Sequence, residues 1–318
     1  MSIKDFLSMF WLEYKQIQLM KNLPKNEDYK ERRMASLIIK SCHSIEKGLS
    51  LKEPRPGFGE QKIENILSLI EGYQRCGYDM NHLSIKMAFG VLKEYMTYQQ
   101  SVCQINSGLE SKIDKLLQKN CFNTNEKTGG TRHINKIEVT QINKDEFERV
   151  VFTRHSLRNY SDEEVCVEAL KEAVRFALQA PSACNRQPSR VYIIDKSQRD
   201  TIIQYLRGVG GFENSADKYL IVTSDISAYS LEETNQWIVS TGIFVGYLSL
   251  ALHACGIGAC IVQRQLQATK ENKRFAEYFN IPEEEQIICV VCVGKYPEEF
   301  NVPVSIRYKV EDIINERK

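Results

Sequence analysis

The chain has almost no net charge: 42 Lys and Arg face 41 Asp and Glu across 318 residues. Without a strong field of either sign, nothing in the balance argues for nucleic acid or for an acidic partner. A disulfide framework is lacking too. Ten cysteines are present, but the chain is not small and no secretory signal is expected before them, so a stapled extracellular domain is not the expectation. Residues 1–22 carry Lys4, Asp5, Glu13 and Lys15 among their apolar side chains, which excludes a clean signal core or a spanning helix there. Phe6, Phe10 and Leu12 are expected to form an amphipathic face docked on protein. No membrane span and a cytoplasmic location with free thiols are the expectations. There is no internal repeat and no long low-complexity tract.

One cysteine pair has a suggestive spacing. Cys289 and Cys292 stand in a CxxC arrangement inside the apolar run Gln286–Gly294, which predicts a buried strand. Side chains alternate faces along a strand, so the two thiols point to opposite sides. Joint metal ligation and a redox dithiol both fail on that geometry. Two buried core thiols and no metal site are expected.

The remaining composition is ordinary for a globular protein, with 42% hydrophobic and 26% charged residues. The first third reads as helical. Ile63, Ile66, Leu67 and Ile70 recur at helical spacing, as do Ile85, Ala88, Phe89, Leu92, Tyr95 and Met96. A further helix is predicted through Leu109–Leu117, and Ser50–Gly59 is a loop rich in breakers. The polar, glycine-containing stretch Asn120–Thr131 marks a boundary. The domains expected are a helical unit at 1–125, a linker at 126–144 and a second domain at 145–318.

That second domain alternates helix and strand. Ser161 and Glu164 have the capping-box spacing and predict a helix start, with Val167, Leu170, Val174 and Ala177 on one face. Arg190–Ile194, Tyr219–Thr223 and Gln286–Val293 predict strands. Ile238–Ala254 is apolar nearly all round and predicts a buried helix, closed by Gly256. On it, Gly242 and Gly246 sit one turn apart and would let another helix approach.

Two segments carry the chemistry. Arg154–Arg158 (RHSLR) places cations beside hydroxyl and imidazole donors. Ala180–Pro188 (APSACNRQP) is a proline-bounded loop of small and amide residues. Cations and hydroxyls suit a phosphate, and amides suit a flat heterocycle with alternating donors and acceptors. Taken singly, each also reads as an ordinary surface loop or turn. Two further segments, Gly256–Cys260 (GIGAC) and Val302–Arg307 (VPVSIR), follow in order. Together the four resemble the nitroreductase family of flavoenzymes, over roughly Asp145–Ile314.

The resemblance implies an α+β fold: a mixed sheet flanked by helices, here preceded by an all-helical N-terminal domain. It implies FMN as cofactor, NADH or NADPH as transient reductant, a ping-pong hydride transfer and a small-molecule acceptor. It also implies a homodimer with FMN at the interface. By the same resemblance Arg154, His155, Ser156 and Arg307 hold phosphate or ribityl groups. Arg158 places a positive charge beside the reduced flavin. Pro181, Ser182, Asn185 and Gln187 reach the flavin of the partner subunit. Ile261, Val262 and Gln263 lie against the ring and offer a backbone N–H to N5. No catalytic residue is required, since hydride comes from a nicotinamide.

Three departures stand out. His155 replaces a second arginine, Ser189 replaces a large aromatic, and the interval Ser224–Gln236 is too short for a long covering helix. The N-terminal segments His43–Ser50 and Pro54–Gly59 resemble the front extension of a branch associated with polysaccharide gene clusters. His43 and Arg55 are the candidate substrate contacts there, with Glu46 and Lys47 beside them; a helix end capped by Gly48 and a structural loop is the competing reading. Two alternative functions stay open. One is a specialised desaturase- or dehalogenase-type flavin enzyme. The other is a flavin- or sugar-nucleotide-binding accessory protein without turnover.

Overall fold

The structure is a computed structural model that describes residues 10, 11, 14, 17, 18, 20–23, 26–103, 106–119, 127–206, 209–212, 214–233, 235–263 and 270–317. Phe6, Leu12 and the start of the expected linker therefore lie outside the described residues.

The N-terminal helices are α1 (Glu27–Leu49), α2 (Glu60–Arg75), α3 (Leu83–Ser101) and α4 (Ser107–Lys119). Asn26 starts α1 by accepting from the Tyr29 amide, the usual service of an N-cap side chain. The apolar positions read at helical spacing form one core: Ile63, Ile66, Ile70, Ile85, Leu92 and Tyr95 are all buried in it. Gly48 does not cap α1, which runs on to Leu49. Its missing side chain instead makes room for Phe58, whose ring would stand 2.3 Å from a Cβ there. Tyr95 and Tyr98 donate to the carbonyls of Phe58 and Pro54, so the 50–59 loop is folded down onto α1 and α3.

Within the expected linker, Lys127–Thr131 is docked on the helical unit. Gly130 N–H donates to Glu46 at 3.1 Å and Thr131 N–H to Glu94 at 3.0 Å. Two exposed helices follow, α5 (Lys136–Thr140) and α6 (Lys144–Thr153).

The second part is a four-stranded sheet of β1 (Ser189–Asp195), β2 (Lys218–Asp225), β3 (Ile257–Gln263) and β4 (Glu285–Lys295), in the order β1-β2-β4-β3. All three pairings are antiparallel, and parallel pairing enters at the Ser156–Ala259 bridge. Strand β3 follows Gly256 directly, where the resemblance implies a glycine turn. One sheet face packs against α7 (Val167–Ala177) and α9 (Gln236–Ala254). The other packs against Leu157 and Tyr160, α8 (Arg199–Tyr205) and α10 (Lys270–Tyr278). Cys289 belongs to the first face and Cys292 to the second, as strand alternation requires. Burial pushes both thiols up to about 12, and no cluster able to hold a metal occurs among the described residues.

Two local expectations are corrected. The helix after Ser161 begins at Val167, not at the capping-box serine. Val165 is fully buried and its N–H donates to Asp217 at 2.9 Å, which draws the segment onto the sheet, and Glu164 reaches the Lys218 ammonium at 3.0 Å. Helix α9 is buried on one face only. Ser240, Phe244, Val245 and Leu248 are inside, while Val239, Gly242, Ile243, Gly246 and Tyr247 are exposed. By length and composition α9 could cross a membrane, but its buried face belongs to the core beside the sheet.

Candidate functional site

The segment after α6 is fixed to the outer edge of β3. Ser156 bridges Ala259, and the Leu157 N–H donates to the Ala259 carbonyl at 3.0 Å. Leu157 and Tyr160 are buried, and the Tyr160 hydroxyl lies 2.9 Å from the Leu157 carbonyl and 3.0 Å from that of Cys292. This close approach needs glycine in the sheet. A Cβ on Gly258 would stand 2.1 Å from Leu157, and one on Gly294 would stand 2.6 Å from the Tyr160 ring. Tyr160 is anchored at its hydroxyl and cannot swing away. Gly294→Ala is expected to destabilise the protein by about 1–3 kcal/mol, as overpacked cores do, read as a lower denaturation midpoint.

Burial of Leu157 and Tyr160 leaves Arg154, His155 and Ser156 at the rim of an open cleft of roughly 250 Å³. Ser249 and His253 of α9, Ile257, Ala259 and Ile261 of β3, and Tyr296 complete its lining. His253 lies between two hydroxyls: its Nε2 is 2.8 Å from Thr153 Oγ1 and its Nδ1 is 2.8 Å from the Tyr296 oxygen. Burial first, then the charges of Arg154 and His155, hold its pKa below the usual histidine value, which favours a neutral ring at pH 7. Among the described residues no carboxylate forms an ion pair with Arg154, His155 or Arg158; the one hydrogen bond of Arg158 goes to the Ser156 carbonyl at 3.5 Å. A cleft edged by cations and hydroxyls, with no acid to neutralise them, has the donor chemistry of a phosphate site. The residues present therefore fit the phosphate end of FMN. Ser249, His253 and Tyr296 were missed from sequence. The signal for Ser249 and His253 was a pair of polar residues four apart in the apolar second half of α9.

The 181–188 loop is built differently. Cys184, Asn185 and Gln187 have φ of 52°, 54° and 49°, a left-handed conformation uncommon outside glycine. Ser182 Oγ accepts from the Gln187 amide at 3.0 Å, and the Ala183 amide donates to Ser240 Oγ at 3.1 Å. Arg186 is buried beneath. It donates to the carbonyls of Ala183 and Ala228 and, bidentately at 2.9 Å, to Glu233, with its guanidinium 4.1 Å from the centre of the Tyr229 ring. The hydrogen bonds from Arg186 hold the Glu233 carboxyl far below the usual carboxylate range. With a depressed folded-state pKa, this pair stabilises above the ordinary carboxylate pKa of about 4.3 and fades only as pH falls well below it.

Ser182 and Gln187 line a second cleft of roughly 260 Å³, together with Ser189, Ser240 and Phe244. Ser189 stands where the family pattern has an aromatic, and its hydroxyl meets Thr241 Oγ1 at 3.2 Å. Ser240 marks this second cleft, whereas Ser249 and His253 mark the first. Along one helix these positions are about 14–20 Å apart. A single chain thus keeps the two motifs apart.

The other expected residues fall as follows. Ile261 faces the first cleft, Val262 is buried on the opposite sheet face, and the backbone of Gln263 pairs with that of Cys289. Pro181 and Asn185 are exposed. Arg307 lies in an exposed tail and donates to the Ser305 carbonyl, so the chain does not by itself bring it to Arg154. His43 stands 3.7 Å from Glu46, and Arg55 is exposed; no hydrogen bond or ion pair joins His43 to Arg55. The 224–236 interval holds two short 3-10 turns, Ile226–Ala228 and Leu231–Glu233, and no longer helix among its described residues.

Fold and site thus define an α+β domain with a cationic, phosphate-suited cleft at a sheet edge. Residues 151–295 match the nitroreductase family. A protein of Archaeoglobus fulgidus, provisionally named an NADH dehydrogenase/NAD(P)H nitroreductase, is 26% identical over 154 residues, 48% of this chain and 85% of that protein. One of Methanothermobacter thermautotrophicus with the same provisional name is 26% identical over 160 residues, 50% of this chain and 81% of its own. Among solved structures, a provisionally named nitroreductase of Desulfovibrio desulfuricans in complex with FMN is similar with a TM-score of 0.46 and 24% identity, covering 54% of this chain and 96% of that one.

Proposed function

We propose that the protein is an FMN-dependent oxidoreductase that takes reducing equivalents from NADH or NADPH and passes them to a small-molecule acceptor in a ping-pong cycle. The observation that carries this reading is the cleft of Arg154, His155 and Ser156, fixed by the Ser156–Ala259 bridge inside the family-matched segment. Arg154 offers a rigid donor fork and Ser156 a hydroxyl to phosphate oxygens, with His155 beside them. Arg158 adds a cation for the pyrimidine edge of the ring. Ile261 supplies an apolar wall, and Val262 and Gln263 supply backbone at the end of β3. When bound, FMN supplies the redox chemistry by accepting hydride and giving it up again. The chain binds, orients and shields, and needs no nucleophile or general base of its own.

The assembly in this reading is a cytoplasmic homodimer. Its support is the apolar surface that one chain leaves open: Val239, Ile243 and Tyr247 on α9, Phe147 and Phe152 on α6, and Val304, Ile306 and Tyr308 in the tail. Monomers rarely expose so much. A second copy would bring the 181–188 loop to the first copy's cleft, which the spacing along α9 denies to a single chain. The proposed domains are 1–125, a linker at 126–144 and 145–318.

The test is a comparison of FMN with riboflavin, which lacks the phosphate. FMN added to apoprotein should bind with quenched fluorescence, and riboflavin should bind about 100-fold more weakly, the loss of roughly two charge-assisted contacts. Equal binding of the two would remove the phosphate role from Arg154 and Ser156. On the acceptor side, Arg55→Ala should leave flavin content intact and cut acceptor turnover at least about tenfold, as for one lost charge-assisted contact. Unchanged turnover would clear the N-terminal unit of that task.

A further inference from the structure

The 181–188 loop keeps three non-glycine residues left-handed, a conformation that persists only where the surroundings over-determine it. The fixing group is Arg186, which binds the Ala183 carbonyl inside the loop and two acceptors outside it, on Ala228 and Glu233. Those acceptors are themselves held from the N-terminal unit. Helix α1 packs against both Ala183–Asn185 and Ile226–Ala228. Arg33 of α1 donates to the Ser227 carbonyl at 2.9 Å, next to the Ala228 carbonyl that receives Arg186. Lys40, two turns on, reaches the Glu233 carboxylate at 3.4 Å. Ser230 donates its amide and hydroxyl to the same carboxylate at 3.1 Å. One helix of the N-terminal unit thus grips both supports of the clamp.

We propose that α1 is a positioning element for the 181–188 loop, acting through Arg33 and Lys40 on the Ala228 and Glu233 acceptors of Arg186. The proposal rests on the flavin reading for what the loop faces, but not for how the loop is held. Neither Arg33 nor Lys40 hydrogen-bonds the amide side chains of Asn185 or Gln187. Their effect passes through Arg186, which sets the backbone from which Asn185 and Gln187 project. The N-terminal unit is then part of the site's framework, and anything that shifts α1 changes the loop.

The experiment uses the full chain and the Arg33→Ala/Lys40→Ala double variant, compared by amide hydrogen exchange without flavin and then by FMN titration. Exchange across 181–189 should rise about tenfold, as expected when two partly exposed polar contacts are lost. FMN affinity should fall by a similar factor and the visible band of bound flavin should change shape. Exchange in α2 and α3 should stay as in the parent protein. Arg33→Lys/Lys40→Arg should recover most of the loop protection, which a merely structural loss would not predict. Loop exchange equal to the parent's would overturn the proposal. If the double variant does not fold, Lys40→Ala alone should raise loop exchange about threefold, and no rise there would overturn the proposal equally. A parent protein that binds no FMN would sink the flavin reading instead, while the exchange result would still decide this one.

Discussion

Arg32→Ala should destabilise the folded protein by about 3–5 kcal/mol, the range for leaving buried charge uncompensated. Arg32 projects from α1 onto the junction of β2 and β4. It donates to Glu284, stands 3.4 Å from Glu285 and 3.9 Å from Asp225. The three carboxylates are only 3–4% exposed at their side chains. The other support is modest. Tyr192 and Thr223 donate to Glu285 at 2.8 and 2.6 Å, and Arg190 stands 3.8 Å from Asp225. Removing Arg32 leaves Glu284 and Glu285 in a dry place with at most neutral donors, while Asp225 keeps Arg190 and the Ser227 amide at 2.9 Å. Arg32→Lys should lose less, because it keeps the charge and gives up the fork. Urea unfolding measures both. A loss under about 1 kcal/mol for the alanine variant would place this network among weak surface pairs. The same contacts predict that 145–318 expressed without α1 is unstable, because its acids would lose their partner.

Arg154→Ala should weaken FMN binding by about 100-fold, the worth of a bidentate charge-assisted pair. No carboxylate among the described residues competes for the guanidinium, so its binding capacity is not already spent. The residue lies outside the core, at the end of α6, and the denaturation midpoint should barely move. Arg154→Lys should fall between, since a point charge replaces a fork. Flavin fluorescence quenching measures the affinity. Unchanged affinity with unchanged stability would move the phosphate to another part of the molecule.

How far these features were legible in the sequence depended on whether their cause was local. Helical periodicity located α2, α3 and α4, and their apolar positions are the buried ones. Alternation separated Cys289 from Cys292 correctly. Strand β3 was hidden because its GIGAC opening has the composition of a turn, and what makes it a strand is pairing with distant β4. The capping box at Ser161 was overridden by burial of Val165 and its bond to Asp217. Composition could not show that α9 has an open face, because apolar residues on a helix look alike whether a partner or a core covers them. In the site, the cations of 154–158 were visible as a cluster of one sign. His253 and Tyr296 reach that cluster by folding alone, and Arg186 reads as one more loop cation until Glu233 and Tyr229 are placed around it.

The most direct measurement is the visible spectrum of the purified, FMN-loaded protein under anaerobic conditions, with NADH and then NADPH added. A flavin redox enzyme predicts a yellow protein whose absorbance near 450 nm bleaches with at least one nicotinamide and returns when an acceptor is added. A colourless protein that takes up no FMN would contradict the account. A yellow protein that neither nucleotide bleaches would keep the cofactor and contradict the proposed reaction.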